Sequence, residues 1–201
     1  MTTLTRQAET ALPTQWGSFK MIAYATDDQQ KMPHLAMVHE NFDPEQPVYL
    51  RIHSECLTGD LFGSRRCDCG EQLDRSMKLA AEKGGVVLYL RQEGRGIGLL
   101  NKIKAYNLQD QGLDTADANT HLGLDVDARH YSIALDMMHD LQITAIHLMT
   151  NNPLKIKAVE ASNIQVVSRV PLITEPRKEN YKYLKTKEDV MGHLYHLNGN
   201  H

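Results

Sequence analysis

From Val86 onward, apolar runs of strand length alternate with stretches of helical spacing, and this alternation restricts the fold more than any other feature of the chain. VVLYLR reads as a short buried strand. Gly98 to Asp110 reads as a helix with Leu99, Ile103 and Tyr106 on one face, and Tyr131 to Leu141 as another with Leu135 and Met138 inward. Ala145 to Thr150 reads as a strand, Asn152-Pro153 opens a helix with proline in its first turn, and Gln165 to Val170 is a last strand closed by Pro171. Upstream, Phe19–Tyr24, Leu35–His39 and Val48–His53 alternate with period two, as strands do. Leu73, Met77 and Ala80 lie at helical spacing and stop at Gly84-Gly85. The pattern predicts an α/β fold, a layered α/β/α arrangement with a mixed sheet, with residues 1–201 forming a single domain. The tail from about residue 176 is polar and weakly patterned, with a short helix expected near Thr186 to Leu194.

The 201 residues are 41% hydrophobic and 23% charged, ordinary material for a buried core. The longest apolar run, Gly85 to Leu90, is far too short to span a membrane. The opening MTTLTRQAETALPTQW has neither a hydrophobic signal core nor an Arg-rich transit character, so a soluble, cytoplasmic protein without membrane partners is expected. A formal charge of −3 and an aromatic content of 6% argue against nucleic acid as a partner, and any anion site must be a local patch.

Cys56, Cys67 and Cys69 are the only cysteines and fall within the segment CLTGDLFGSRRCDC. An odd number without a secretion signal speaks against a disulfide framework, and the charged neighbours Arg65, Arg66, Asp68 and Glu71 are not the context of buried structural thiols. Thiolates select zinc or an iron–sulfur cluster, and a cluster usually takes four cysteines. With three protein sulfurs, zinc keeps a fourth position. His53 or Glu55 there would close the site, whereas water would make it catalytic. Three thiolates leave the zinc unit at a formal −1, so its water would need a nearby cation or base to ionise.

RQEGRGIGLLNKIK, Arg91 to Lys104, directly follows a strand and sets Arg91, Arg95, Lys102 and Lys104 against one acid, Glu93. Such a glycine-rich turn into a helix offers free N–H groups and a dipole to an anion, although neither the dinucleotide G-x-G-x-x-G nor the P-loop ending is present. In LMTNNPLKIK, Lys155 stands in the first turn of a helix, where its charge opposes the dipole; a bound phosphate would account for it.

RIHSECLTGD, the Cys-x10-Cys-x-Cys spacing, RQEGRGIGLLNKI and TNNPLK occur in order, and with them the chain resembles GTP cyclohydrolase II of riboflavin biosynthesis, from LPTQWGSF to TKEDVMGHL. Without an upstream partner domain in the sequence, it resembles the stand-alone form. The resemblance implies opening of the guanine imidazole ring of GTP, with loss of formate from C8 and of pyrophosphate, to give 2,5-diamino-6-(5-phosphoribosylamino)pyrimidin-4-one. It implies one Zn²⁺ per subunit on Cys56, Cys67 and Cys69, Mg²⁺ with the triphosphate, and a homodimer. Arg51, Ile52, His53, Ser54, Glu55, Gln72, Glu93, Gly94, Arg95, Thr115, Thr150 and Lys155 would line the GTP site. Asp127 would accept a proton, Arg129 would act as nucleophile or phosphate activator, and Tyr106 would help complete the base hydrolysis. By spacing alone Tyr106 is a core aromatic of its helix.

Physical chemistry narrows these roles. Guanidinium stays protonated and is a poor nucleophile, so Arg129 is expected to clamp the transition state while Asp127 orients a water. Guanine N1–H and its amino group need an acceptor, for which Glu93 or Gln72 is placed to serve. Two alternatives remain open at this level: a paralogue that stops at the formamide, and a non-catalytic nucleotide-binding zinc protein.

Overall fold

The computed structural model describes residues 4–125, 127–195 and 197, with the side chains of 115 and 116 outside that description. Its sheet strands are β1 (Thr5–Thr14), β2 (Gly17–Ala25), β3 (His34–His39), β4 (Val48–Ser54), β5 (Val86–Leu90), β6 (Ala145–Met149) and β7 (Gln165–Val170). They form one open sheet in the order β1-β2-β3-β5-β4-β6-β7. β1, β2, β3 and β5 pair antiparallel, whereas β5, β4, β6 and β7 run parallel, so the sheet is mixed as expected.

Period-two alternation builds the layers. Val86, Leu88 and Leu90 of β5 face the same way as Leu50 and Ile52 of β4 and Ile22 and Tyr24 of β2. That face is covered by Ala134, Met137 and Met138 of α5 (Ser132–Asp140) and Val159 of α6 (Pro153–Glu160). Val87 points to the opposite face, where Phe19 joins Met77 and Ala80 of α2 (Cys69–Lys83). Each fully buried leucine or isoleucine contributes about 1.5–3 kcal/mol by leaving water.

The helix ends follow local chemistry. Gly84 closes α2 in the left-handed region at φ 67°, a conformation without a Cβ penalty. Asn152 caps α6 by accepting from Leu154 N at 2.8 Å, with Pro153 at the start of the helix.

Several expectations need correction. β1 carries no readable pattern because nearly all of it is exposed and only backbone pairing to β2 defines it. α3 (Leu99–Asp110) forms as predicted but buries Lys102 and Ala105, while Leu100 and Ile103 are exposed. The polar α4 (Thr115–His121) is not signalled by periodicity at all. The tail is more ordered than its composition suggests: α7 spans Tyr181–Asp189, earlier than expected, and buries Leu184, Thr186 and Lys187. With two polar residues on its inner face, that helix has little apolar period to display.

No helix among the described residues is long and apolar enough to cross a membrane. The parallel strands β4, β5 and β6 all end on one edge, and the segments that follow them build a cleft there. Beyond the carboxyl ends of strands is where open α/β sheets ordinarily take ligands.

Candidate active site

After β4, the single-turn helix α1 (Leu57–Asp60) reverses the chain so that Cys56 meets Cys67 and Cys69 at the start of α2. The three sulfurs lie within 4.8 Å of one another, with Cys56 and Cys67 3.6 Å apart, and none forms a disulfide. Tetrahedral zinc with bonds of about 2.3 Å sets sulfurs roughly 3.8 Å apart, so the spacing suits such an ion. The chemistry of the donors agrees. Hydrogen bonds from Cys67 and Cys69, with Lys102 beside it, draw the Cys56 thiol far below its usual range. The neighbouring Cys56 sulfur pushes Cys67 up to about 12 and raises Cys69 well above the usual thiol range. A divalent ion at the cluster would favour the thiolate form of all three.

Neither candidate fourth donor joins the sulfurs among the described residues. His53 Nε2 lies 3.1 Å from both Asp60 oxygens, and that carboxylate also accepts from Cys56 N and Tyr89 OH at 2.9 Å. Glu55 accepts from Arg91 at 2.8 Å. The cation nearest the sulfurs is Lys102, whose Nζ stands 3.1 Å from Cys56 Sγ and 2.9 Å from Glu93 Oε1.

The sulfurs open onto a cleft that also receives Arg51, Arg95, Arg129, Lys155 and Lys187. This differs from the contiguous patch read in Arg91 to Lys104. Arg91 is spent on Glu55 and Pro33 O, Lys102 on a sulfur, and Lys104 is exposed, so Arg95 alone of the four remains a free cation in the cleft. The glycine turn also keeps its N–H groups to itself. Gly94 N donates to Glu93 Oε1, Gly96 N to Gln92 O and Gly98 N to Glu93 O. Gly94 and Arg95 both adopt left-handed backbone, at φ 60° and 62°, which aims Arg95 inward at a cost of roughly 1–3 kcal/mol for a residue with a Cβ. Its NH1 and NH2 are buried with no hydrogen-bond partner among the described residues.

Lys155 is 4% exposed, and its Nζ donates to Ile52 O at 2.7 Å. Burial, with Arg51, Arg129 and Lys187 close by, pushes it well below the usual lysine range. An anion in the cleft offsets that repulsion. Arg51 donates to Met149 O at 3.0 Å and Gln72 Oε1 at 2.6 Å. Arg129 grips Asp127 with two parallel bonds, Nε to Oδ1 at 2.7 Å and NH2 to Oδ2 at 2.5 Å. Burial works against both charges, but the pairing keeps Asp127 ionised below the usual carboxylate range and Arg129 protonated.

Most residues singled out from sequence therefore converge. His53, Ser54, Glu55, Gln72, Glu93, Gly94, Thr150 and Tyr106 line the same cleft as the sulfurs and the cations. Tyr106 is not a core aromatic: its hydroxyl lies 3.4 Å from Thr58 Oγ1 at the sulfur end. Ile52 contributes its carbonyl while its side chain is buried in the sheet, and Asp127 stands behind Arg129. The side chain of Thr115 lies outside the described residues. Glu93 already accepts from Leu57 N, Gly94 N and Lys102, and Gln72 from Arg51, so each has fewer free lone pairs for guanine than its sequence position suggests. Sequence reasoning passed over Asn151, Asn152, Tyr183, Lys187, His193 and Tyr195, which also line the cleft. The last four lie in the weakly patterned tail, where only the abundance of aromatic and basic residues hinted at them.

The family model for GTP cyclohydrolase II matches residues 5–171. This chain belongs to that family. GTP cyclohydrolase-2 of Neisseria meningitidis serogroup C is 50% identical over 192 residues, covering 95% of this chain and 96% of that protein. The riboflavin biosynthesis protein RibBA of Bacillus cereus is 48% identical over 197 residues, 98% of this chain and 49% of RibBA. This GTP cyclohydrolase II family member thus spans about half the length of the RibBA relatives it matches. A solved structure described as RibBX, a two-domain 3,4-dihydroxy-2-butanone 4-phosphate synthase from A. baumannii, aligns at TM-score 0.47 and 16% identity, over 87% of this chain and 41% of that one.

Proposed function

We propose that this chain hydrolyses GTP to formate, pyrophosphate and 2,5-diamino-6-(5-phospho-D-ribosylamino)pyrimidin-4(3H)-one, the entry reaction of riboflavin biosynthesis. The observation that carries this reading is the placing of three sulfurs, without a fourth protein donor among the described residues, on the cleft that receives Arg51, Arg95, Arg129 and Lys155. Family membership and the relatives named above support it.

Zinc held by Cys56, Cys67 and Cys69 would supply Lewis acidity toward the guanine C8 and, after ring opening, toward the formamide. Around that point the chain's own groups divide the work. Lys102 offsets the excess negative charge of the sulfurs. The Tyr106 hydroxyl, hydrogen-bonded near Thr58, is placed to orient a water or to protonate the nitrogen that leaves C8. At the other end, Arg95, Arg129 and Lys155 take the triphosphate, and Mg²⁺ accompanies it, held mainly by the phosphates. Arg129 stays protonated beside Asp127 and acts as a clamp on the charge that grows as the α–β bond breaks. Asp127, with an ionised carboxylate, orients the attacking water.

Incubation with GTP and Mg²⁺, measuring formate and pyrophosphate together, tests the reading. Both products should appear, and Cys67→Ser should abolish formate. Pyrophosphate without formate from the unaltered protein would instead establish an enzyme that stops at the formamide. Neither product would leave only a nucleotide-binding role. A homodimer in the cytoplasm belongs to the same proposal, and sedimentation at equilibrium tests the assembly.

A further inference from the structure

Asp68 stands between two of the sulfur donors, is 1% exposed, and is reached by three donors. Lys187 Nζ approaches Oδ1 at 2.9 Å, Tyr195 OH donates to Oδ2 at 2.8 Å, and Gln72 Nε2 donates to Oδ2 at 2.5 Å. A carboxylate this deeply buried is tolerable only when so completely partnered. Two of the three donors come from beyond residue 171, where the match to the family model ends. The same segment has other ties to the rest of the chain, among them Lys182 Nζ to Gly112 O at 3.1 Å. Leu194 N donates to Asn151 O at 2.9 Å, and the Arg95 guanidinium lies 5.8 Å from the centre of the Tyr183 ring, which Lys187 Nζ also approaches at 4.4 Å. Gln72 accepts from Arg51, which donates to Met149 O, so one hydrogen-bonded path runs from α7 through Asp68 and Gln72 to the end of β6.

We propose that Asp68 is a positioning residue: through Lys187 and Tyr195 it latches residues 181–195 onto the sulfur-bearing loop, and through Gln72 it fixes Arg51, so that the C-terminal segment forms a working wall of the nucleotide cleft. The nucleotide part of this inference rests on the function proposed above. The latch itself does not.

The test uses the full chain carrying Asp68→Asn, Tyr195→Phe, Lys187→Met or Lys187→Arg. Hydrogen exchange of residues 181–195 should accelerate about tenfold in Lys187→Met and Asp68→Asn, the scale of one lost charge-assisted bond, and by less in Tyr195→Phe. The double variant D68N/K187M should be no faster than either single one, because both remove the same link. Lys187→Arg, which keeps the charge and donors, should stay near the unaltered protein. The KM for GTP should rise about tenfold in Lys187→Met while kcat changes little, and Lys187→Arg should restore it. Unchanged exchange of 181–195 in Lys187→Met and Tyr195→Phe would overturn the latch. This holds even if Asp68→Asn fails to fold, because those variants leave the buried carboxylate in place. Exchange that accelerates with an unchanged KM would overturn the wall. Unaltered protein that releases neither product from GTP would refute the functional reading, and the exchange result would still decide the latch.

Discussion

The ammonium of Lys102 lies 3.1 Å from the sulfur of Cys56, and its second partner is Glu93 at 2.9 Å. Lys102 is 9% exposed on a helix whose apolar residues Leu100 and Ile103 face solvent. The helix presents a cation to the sulfurs and leaves two of its apolar side chains in solvent.

Lys102→Met keeps the length and removes the charge. Losing a hydrogen bond to a charged group costs about 1.5–3 kcal/mol, so formate release is expected to fall roughly 10- to 100-fold. Zinc should also dissociate faster to a chelator. Formate release at the unaltered rate would show that the sulfurs do not need this cation.

Gly59 lies behind the sulfurs, where a Cβ would come 2.9 Å from Cys67 Sγ and 3.2 Å from Cys56 Sγ. Gly59→Ala is therefore expected to spread the cluster and lower zinc content while the sheet stays intact. Metal analysis alongside far-ultraviolet circular dichroism checks this. A variant that keeps a full complement of zinc would contradict the packing described here.

The bidentate Arg129–Asp127 pair predicts that Arg129→Lys, which conserves charge but not the planar fork, loses pyrophosphate release by about 10- to 100-fold. Asp127→Asn should fall in the same range, with ring opening less affected. Mass spectrometry of the protein during turnover should show no guanylyl adduct on Arg129; finding one would make it a nucleophile.

His193 supplies a pH dependence. Burial first, then Lys187, Arg95 and Arg129, push it down to about 3, against the opposing pull of Asp68. An unfolded histidine titrates near 6.5, so as pH falls the unfolded chain takes up the proton before the folded one does. The stability this neutral histidine contributes is complete above about pH 6.5 and is lost progressively toward pH 3. The Tm of the unaltered protein should therefore drop more steeply between about pH 6.5 and 4 than that of His193→Gln. Parallel profiles would show that His193 protonates freely in the folded state.

The elements were legible wherever a local rule applies. The apolar run 86–90 reads as a buried strand, Gly84 ends α2, and Asn152-Pro153 starts α6, because each depends on covalent geometry spanning a few residues. The cysteine spacing and the motifs around it likewise mark the family and a sulfur cluster that could hold a metal ion. Who faces whom in the cleft was decided only by the tertiary structure. Lys155 meets Ile52 O across 103 positions, and Asp68 meets Lys187 and Tyr195 across 119 and 127. Contacts over such separations arise from how strands and helices pack, which no local period encodes. For that reason Lys102 reads in sequence as a phosphate ligand and in space as the partner of a sulfur. For the same reason a tail without pattern becomes a wall of the site.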